Sequence, residues 1–338
     1  RGEPAPAARW LQVLESINTA AGPMLGRKYA QRYLPADSRA KAEHIAAQVR
    51  AALGRGIERN AWMSAPAKAE AKAKLDKLKI EIGTPRRDLD YTVQPMGRGS
   101  FGSNMLIAST WRHGQEMKRI GKGNADRRWD VLPQQPALAY DLAHNRLIVT
   151  AAMLQAPVFD PAMPLGGQYG AFGALVGHEL SHAVDGRGRM VDADGNVRDW
   201  WTGAEATAWD ATAQRVVALY DGLAYPQLPA IKVNGKLTRD ENVADLAGLE
   251  LAHAALVAAQ PTGGVAADKA FYSAWAQVWA QQVTADEAQR RSLQDVRAPG
   301  QWRTNAPIMQ QGAFGSAFSC KVGTPMQPKP EARISVFH

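Results

Sequence analysis

The sequence predicts a mainly α-helical fold with a small β component. Three observations carry this expectation. Apolar residues recur at spacings of three and four through residues 39–59 and 65–79, in stretches dominated by Ala, Lys, Glu and Leu. Helix-forming segments return at residues 168–184, 204–220, 238–259 and 268–282. One short run, Arg146–Thr150, has the β-branched character of a strand.

Length and composition set the frame for these elements. A chain of 338 residues allows one large or two ordinary domains with a substantial core. Hydrophobic residues make up 46% and charged residues 21%, which excludes whole-chain disorder and collagen-like structure. No apolar run approaches the roughly 18–20 residues of a spanning helix, so no transmembrane segment is expected. The single cysteine, Cys320, excludes an intrachain disulfide framework and a multi-cysteine zinc site. The chain begins Arg1-Gly2-Glu3 without an initiator Met, so a processed or truncated product is expected. Charge is uneven: residues 1–150 hold 25 basic and 14 acidic side chains, residues 151–338 hold 15 and 18. With no basic arm and no nucleic-acid motif, the basic half reads as a solvated helical lobe and no nucleic-acid partner is expected.

Taken in order, residues 7–82 read as helices, with starts at Asp37-Ser38 and at Ser64-Ala65-Pro66 and a stop at Gly83-Thr84-Pro85. Residues 84–104 read as loop, given Pro95, Gly97, Gly99 and Gly102. Residues 106–120 form a further helix ended by Gly121-Lys122-Gly123-Asn124. A domain boundary is expected near residues 123–136. Asp194-Gly195 signals a hairpin turn within residues 189–197. The last forty residues read as loop-rich, with Pro299-Gly300, Pro307, Gly312 and Pro325.

The chemistry is concentrated in His178-Glu179-Leu180-Ser181-His182, an HExxH sequence. On a helix, positions i and i+4 share a face, so both imidazoles reach one ion. Glu179 lies about 100° round the helix from His178, placed to hold a water at the metal. Zinc lowers the pKa of such a water, and a carboxylate takes its proton during attack on a carbonyl. The metzincin pattern fails, because Asp185 and Gly188 stand where Gly and His are required. A downstream Glu is therefore the third ligand, with Glu205 and Glu241 as candidates. Glu241 is preferred, because Asp245 follows at i+4 and can accept a hydrogen bond from a ligand imidazole. Glu205 has Trp209 at that spacing.

With Glu241-Asn242-Val243-Ala244-Asp245 beside HExxH, the chain resembles the neprilysin-like zinc endopeptidases, the M13 family of neprilysin, endothelin-converting enzymes and bacterial PepO-type enzymes. The resemblance runs from about Leu25-Gly26 to Val336-Phe337. Its strongest stretches are residues 168–183, Asp192-Ala-Asp-Gly-Asn196 and Asp199-Trp-Trp-Thr202, with further matches at Trp62-Met-Ser64, Ile120-Gly-Lys122 and Arg297-Ala-Pro-Gly-Gln-Trp-Arg303. It implies a zincin (gluzincin) catalytic domain, mainly α with a small β-sheet, over residues 126–338, and part of a helical lid domain over residues 1–125. It implies one Zn²⁺ per chain held by His178, His182 and Glu241. Glu179 would be the general base, Asp245 would orient a ligand histidine, and Arg303 would lie near the substrate carbonyls.

Three departures touch substrate handling. Arg297 stands where the family has a His that stabilises the tetrahedral intermediate, and a guanidinium donates with different geometry and without titrating near neutrality. Ala137-Leu138 replaces a substrate-binding Asn-Ala pair, and Val149-Thr150 replaces Phe-Pro. Family members are also considerably longer, so a companion polypeptide or precursor fragment completing the lid is expected. The resemblance implies a zinc endopeptidase acting on short peptides, periplasmic or secreted in a bacterium. The alternative is a zinc-binding pseudo-protease or subunit that holds a peptide or partner without cleaving it. Asp192-x-Asp-Gly-Asn lacks the end of a calcium loop and reads as a turn, and Cys320 as a buried thiol.

Overall fold

The computed structural model describes residues 6–86, 94–121 and 129–337. The expected boundary at 125/126, the Lys122 match and the glycine stop at residues 122–124 lie outside these. Twelve α-helices and five strands are found among the described residues. The chain divides into two compact units: Arg1–Arg39, Glu81–Ala137 and Ile148–Leu154 form one, and Ala40–Ile80, Leu138–Leu147 and Gln155–His338 the other.

The first unit is built on α1 (Arg9–Tyr33) and α4 (Phe101–Met117), which pack together. Helix α1 is kinked at Ala21, two residues before Pro23, whose ring cannot continue the hydrogen-bond ladder. Gly22 and Gly26 are buried against Leu132 and Pro133, where a side chain would collide. Gln134 Nε2 donates to Asn18 Oδ1 (2.8 Å) and to the Gly22 carbonyl (3.1 Å). Helix α4 starts five residues before its expected position, capped by Ser100.

The second unit holds most of α2 (Ala36–Arg59), all of α3 (Ala65–Lys77) and every helix from α5 onward. Ser64 caps α3, accepting from Ala67 N. Residues 79–82 were expected as helix, but Lys79–Gly83 is strand β1, since Ile80 and Ile82 alternate with charged residues. A three-stranded sheet runs β1–β3–β2, with β2 (Leu138–Asp141) at an edge and the buried β3 (Arg146–Thr150) central. The two-unit division passes through β1 and β3. Strands β4 (Ala224–Tyr225) and β5 (Leu228–Lys232) make a separate antiparallel pair.

Helices α5 (Leu165–Gln168) and α6 (Ala174–Ser181) are joined by a π turn over Tyr169–Gly173. Helix α7 (Gly203–Tyr220) precedes the core helix α8 (Arg239–Ala259), and α9 (Gly264–Val278) and α10 (Ala285–Gln294) follow. The last forty residues are more helical than expected, with α11 (Gly300–Met309) and α12 (Gly312–Ala317). Pro299 is the N-cap of α11 rather than a breaker. Among the described residues, α8 alone is long and apolar enough to cross a membrane, but most of that stretch is buried inside the protein and it carries Glu241, Asp245 and Glu250. Helices α6 and α8 pack through glycine: a Cβ on Gly177 would lie 2.8 Å from the Gly248 carbonyl oxygen, and one on Gly248 2.5 Å from that of Ala174. Cys320 is half-buried and unpaired rather than fully buried.

Candidate active site

The close approach of α6 to α8 sets HExxH against the start of α8. His178 lies in the last turns of α6, and His182 is its C-cap residue. Their rings stand edge to face with centroids 5.1 Å apart. Glu241 and Asp245 are one turn apart in the buried N-terminal part of α8. His178, His182 and Glu241 each present a ligand atom within 4.8 Å of the others.

Each imidazole is oriented by its own carboxylate. Asp245 Oδ1 lies 2.8 Å from His178 Nδ1, and Asp185 Oδ2 lies 2.7 Å from His182 Nδ1. With both Nδ1 atoms engaged, the Nε2 atoms face Glu241, at 3.5 Å from Oε2 for His178 and 4.0 Å from Oε1 for His182. Glu241 Oε2 is buried, with His178 Nε2 at 3.5 Å and Arg297 Nε at 3.1 Å as its polar neighbours. Two Nε2 atoms and a buried carboxylate, their ligand atoms within 4.8 Å of one another, fit a zinc ion, and the carboxylates behind the imidazoles are the support such ligands need.

Without an ion, the electrostatics favour ionised carboxylates and a protonated His178, whose Nε2 proton a metal would displace. Burial raises the Glu241 pKa, but the hydrogen bond and charge of His178, with Arg297 and His182, outweigh it and hold the group down at about 2. Burial lowers the His178 pKa, yet Asp245, Glu241 and Glu179 lift it to about 9. Asp245 is fully buried, which opposes ionisation, and Arg303 and His178 overcome this and lower its pKa. Glu241 and Asp245 are therefore held as anions, one facing Nε2 and the other Nδ1 of the His178 ring.

Glu179 Oε2 accepts a hydrogen bond from the backbone N–H of Tyr140 in β2 (2.8 Å). The phenol of Tyr140 donates to Asn145 Oδ1 (2.9 Å). Arg303, 7% exposed, gives Nε and Nη2 to the two oxygens of Asp245 (2.7 and 2.6 Å) and lies 3.6 Å from the centroid of the Trp279 ring. Arg297 is half-exposed, with Nε 3.1 Å from Glu241 Oε2.

Glu205 is held elsewhere. It forms the capping box of α7 with Thr202 and accepts from the Ser64 N–H (2.9 Å) and hydroxyl (2.5 Å). Ala137 and Thr150, two of the departures noted above, are bonded to one another: Thr150 Oγ1 accepts from Ala137 N–H (2.9 Å), and Thr150 N–H donates to the Ala137 carbonyl (3.0 Å). Asp192 closes the expected turn, accepting from the backbone N–H groups of Asp194 and Asn196 and from Asn196 and Arg198 side chains.

Asp185 and Tyr140 were not anticipated as site residues. The spacing of Asp185, three residues after His182, is a signal that was available. Tyr140 acts through its backbone N–H, which leaves no mark on residue identity.

Comparison with known proteins adds the following. A model described as Peptidase family M13 matches residues 139–334, and a second with the same description matches residues 1–85. Human endothelin-converting enzyme-like 1 is 30% identical over 342 residues, covering 95% of this chain and 43% of that protein. The crystal structure of PepO from Lactobacillus rhamnosis superposes with a TM-score of 0.90 at 29% identity, over 100% of this chain and 53% of that one. The Mycobacterium tuberculosis zinc metalloprotease Zmp1, in complex with inhibitor, gives 0.87 at 26% identity over 99% of this chain and 52% of that one. The chain thus spans less than half the length of the curated relative and about half of each solved structure.

Proposed function

The chain belongs to peptidase family M13, and on that premise we propose that it carries the catalytic centre of a zinc-dependent endopeptidase acting on short peptides. The reading rests on the convergence of His178, His182 and Glu241 beside an oriented Glu179. His178, His182 and Glu241 would hold one Zn²⁺, which would supply Lewis acidity for the scissile carbonyl and lower the pKa of a water toward neutrality. Glu179, its Oε2 fixed by Tyr140, uses Oε1 to take the proton of the attacking water and later passes it to the leaving amine. Asp245 and Asp185 keep His178 and His182 in the tautomer that presents Nε2. Arg303 holds Asp245 ionised, and the guanidinium groups of Arg303 and Arg297 are the cations beside which negative charge on the substrate oxygen develops.

In domain terms we assign catalysis to residues 126–338, a reading supported by the family match over residues 139–334. Helices α2 and α3 join that part in the second unit. The remainder of residues 1–125 is assigned to a helical lid. Exposed Trp10 on α1, with Phe101, Leu106 and Met117 on α4, favours a companion polypeptide or precursor fragment covering that lid. We assign the protein to a location outside the cytoplasm, in a bacterial periplasm or secreted, a reading that the family resemblance supports.

The test is mass spectrometry of an unstructured peptide pool after incubation with the chain, beside Glu179→Gln and a chelated sample. Cleavage by the wild type that vanishes in both controls is expected. Cleavage that survives Glu179→Gln would remove the proposed general base, and stoichiometric zinc without any cleavage would favour a binding protein.

A further inference from the structure

The last turn of α3 carries a lysine where the helix pattern calls for an apolar side chain. Lys74 shares a face with Ala67, Ala71 and Leu78, all buried, and is itself 0% exposed. An ammonium taken out of water is tolerated only where its protons are bonded. Lys74 Nζ donates to the carbonyl oxygens of Gly188 and Val191, at 2.7 Å each, and lies 5.8 Å from the Trp200 ring.

Both acceptors lie in the loop that follows the HExxH helix. Asp185, in that loop, accepts from the backbone N–H groups of Arg187 (2.8 Å) and Gly188 (2.7 Å) through Oδ1, while Oδ2 orients His182. Gly188 is the junction: its N–H donates to Asp185 and its carbonyl accepts from Lys74. A side chain there would overlap the backbone of His182 and Ala183, so the loop lies this close only with glycine.

The backbone end of Lys74 reaches the other half of the motif. Its carbonyl accepts from Asn145 Nδ2 (2.7 Å), and Asn145 Oδ1 accepts from the Tyr140 hydroxyl (2.9 Å). The Tyr140 N–H is the donor to Glu179 Oε2. Asn145 adopts a left-handed conformation (φ 46°), which Asn tolerates better than most residues.

We propose that Lys74 is a positioning residue for the metal centre, its ammonium fixing the loop that aims Asp185 at His182 and its carbonyl fixing Glu179 through Asn145 and Tyr140. The inference rests on the zinc reading of the site. A lysine that only bridged the core would need acceptors on any neighbour, whereas both acceptors here belong to the loop whose carboxylate orients a ligand.

The experiment measures zinc affinity of the full chain by competition with a chromophoric chelator, and the visible spectrum of the cobalt(II)-substituted protein. Lys74→Met keeps the bulk and removes the donors. Zinc binding should weaken by roughly ten-fold or more, the range for lost supporting bonds, with a changed cobalt spectrum and a retained cooperative melt. Lys74→Gln, which keeps a shorter donor, should fall between and serves if Lys74→Met does not fold. Lys74→Met combined with Asp185→Ala should be no weaker than Asp185→Ala alone. Leu53→Ala, a buried change in α2, should lower the melting temperature and leave zinc affinity unchanged. Unchanged zinc affinity in the Lys74 variants, an additive double variant, or an equal loss in Leu53→Ala overturns the proposal. A wild-type chain that takes up no zinc overturns the metal reading and the proposal with it.

Discussion

Asp185 accepts from the backbone of its own loop and faces His182 Nδ1, so its replacement should be felt at the metal before it is felt in the fold. Asp185→Asn is expected to weaken zinc binding by about 10- to 100-fold in the chelator competition. Arg297 invites a different outcome. Its guanidinium is half-exposed beside Glu241, so Arg297→Ala should tighten zinc binding only roughly three-fold, the scale of an exposed charge pair, while peptide cleavage falls. Weaker zinc binding in that variant would show that the guanidinium supports the ligand. Lys74 makes a pH prediction. Burial lowers its pKa from 10.5 to about 8, against the pull of Asp185, Glu70 and Asp192. Between those values the unfolded chain holds a proton that the folded chain has lost, so stability rises with pH. Relative to Lys74→Met, chelated wild-type protein should gain about 3 kcal/mol across that window in urea denaturation; a flat difference contradicts it. The clustering of His178, His182 and Glu241, with Asp245 behind His178, was legible because i,i+4 spacing on a helix is written in the sequence. Lys74 was not, since one lysine among the Ala, Lys and Glu of α3 looks like any solvated position.

Elements were legible where a periodic pattern ran long. The residues of α2, α3, α7 and α8 emerge within a few positions of their expected bounds. Strand β1 was hidden because Lys79–Gly83 continues a lysine-rich helical run, and its alternation shows only once a neighbouring strand is available. Helices α11 and α12 were hidden because Pro299, Pro307 and Gly312 read as breakers, whereas Pro299 caps α11 and Pro307 is accommodated inside it. The π turn between α5 and α6 left no signature, yet it places Gly170 against the Phe271 carbonyl of α9. A methyl group there would overlap that oxygen. Gly170→Ala should therefore destabilise by about 3 kcal/mol or more in urea denaturation, and a loss under 1 kcal/mol would show that the packing yields.

At the scale of the molecule, family membership was legible from two motifs, and the division into units was not. Contacts that join Ala40–Ile80 to residues beyond 155 are made by Ser64 to Glu205, Glu70 to Arg198 and Lys74 to Gly188, pairs that no local pattern announces. If the lid is completed by other polypeptide, the isolated chain should self-associate through its exposed apolar residues in light scattering; a sharp monomer would count against this. The catalytic roles of Glu179, Arg297 and Arg303 and the positioning roles of Asp185 and Lys74 all depend on zinc at His178, His182 and Glu241. The most direct measurement is zinc stoichiometry of the full chain by equilibrium dialysis, wild type beside Glu241→Ala. One zinc per wild-type chain, lost from Glu241→Ala at the same free zinc concentration, is the predicted result. No zinc in the wild type, or full occupancy without Glu241, would contradict the account.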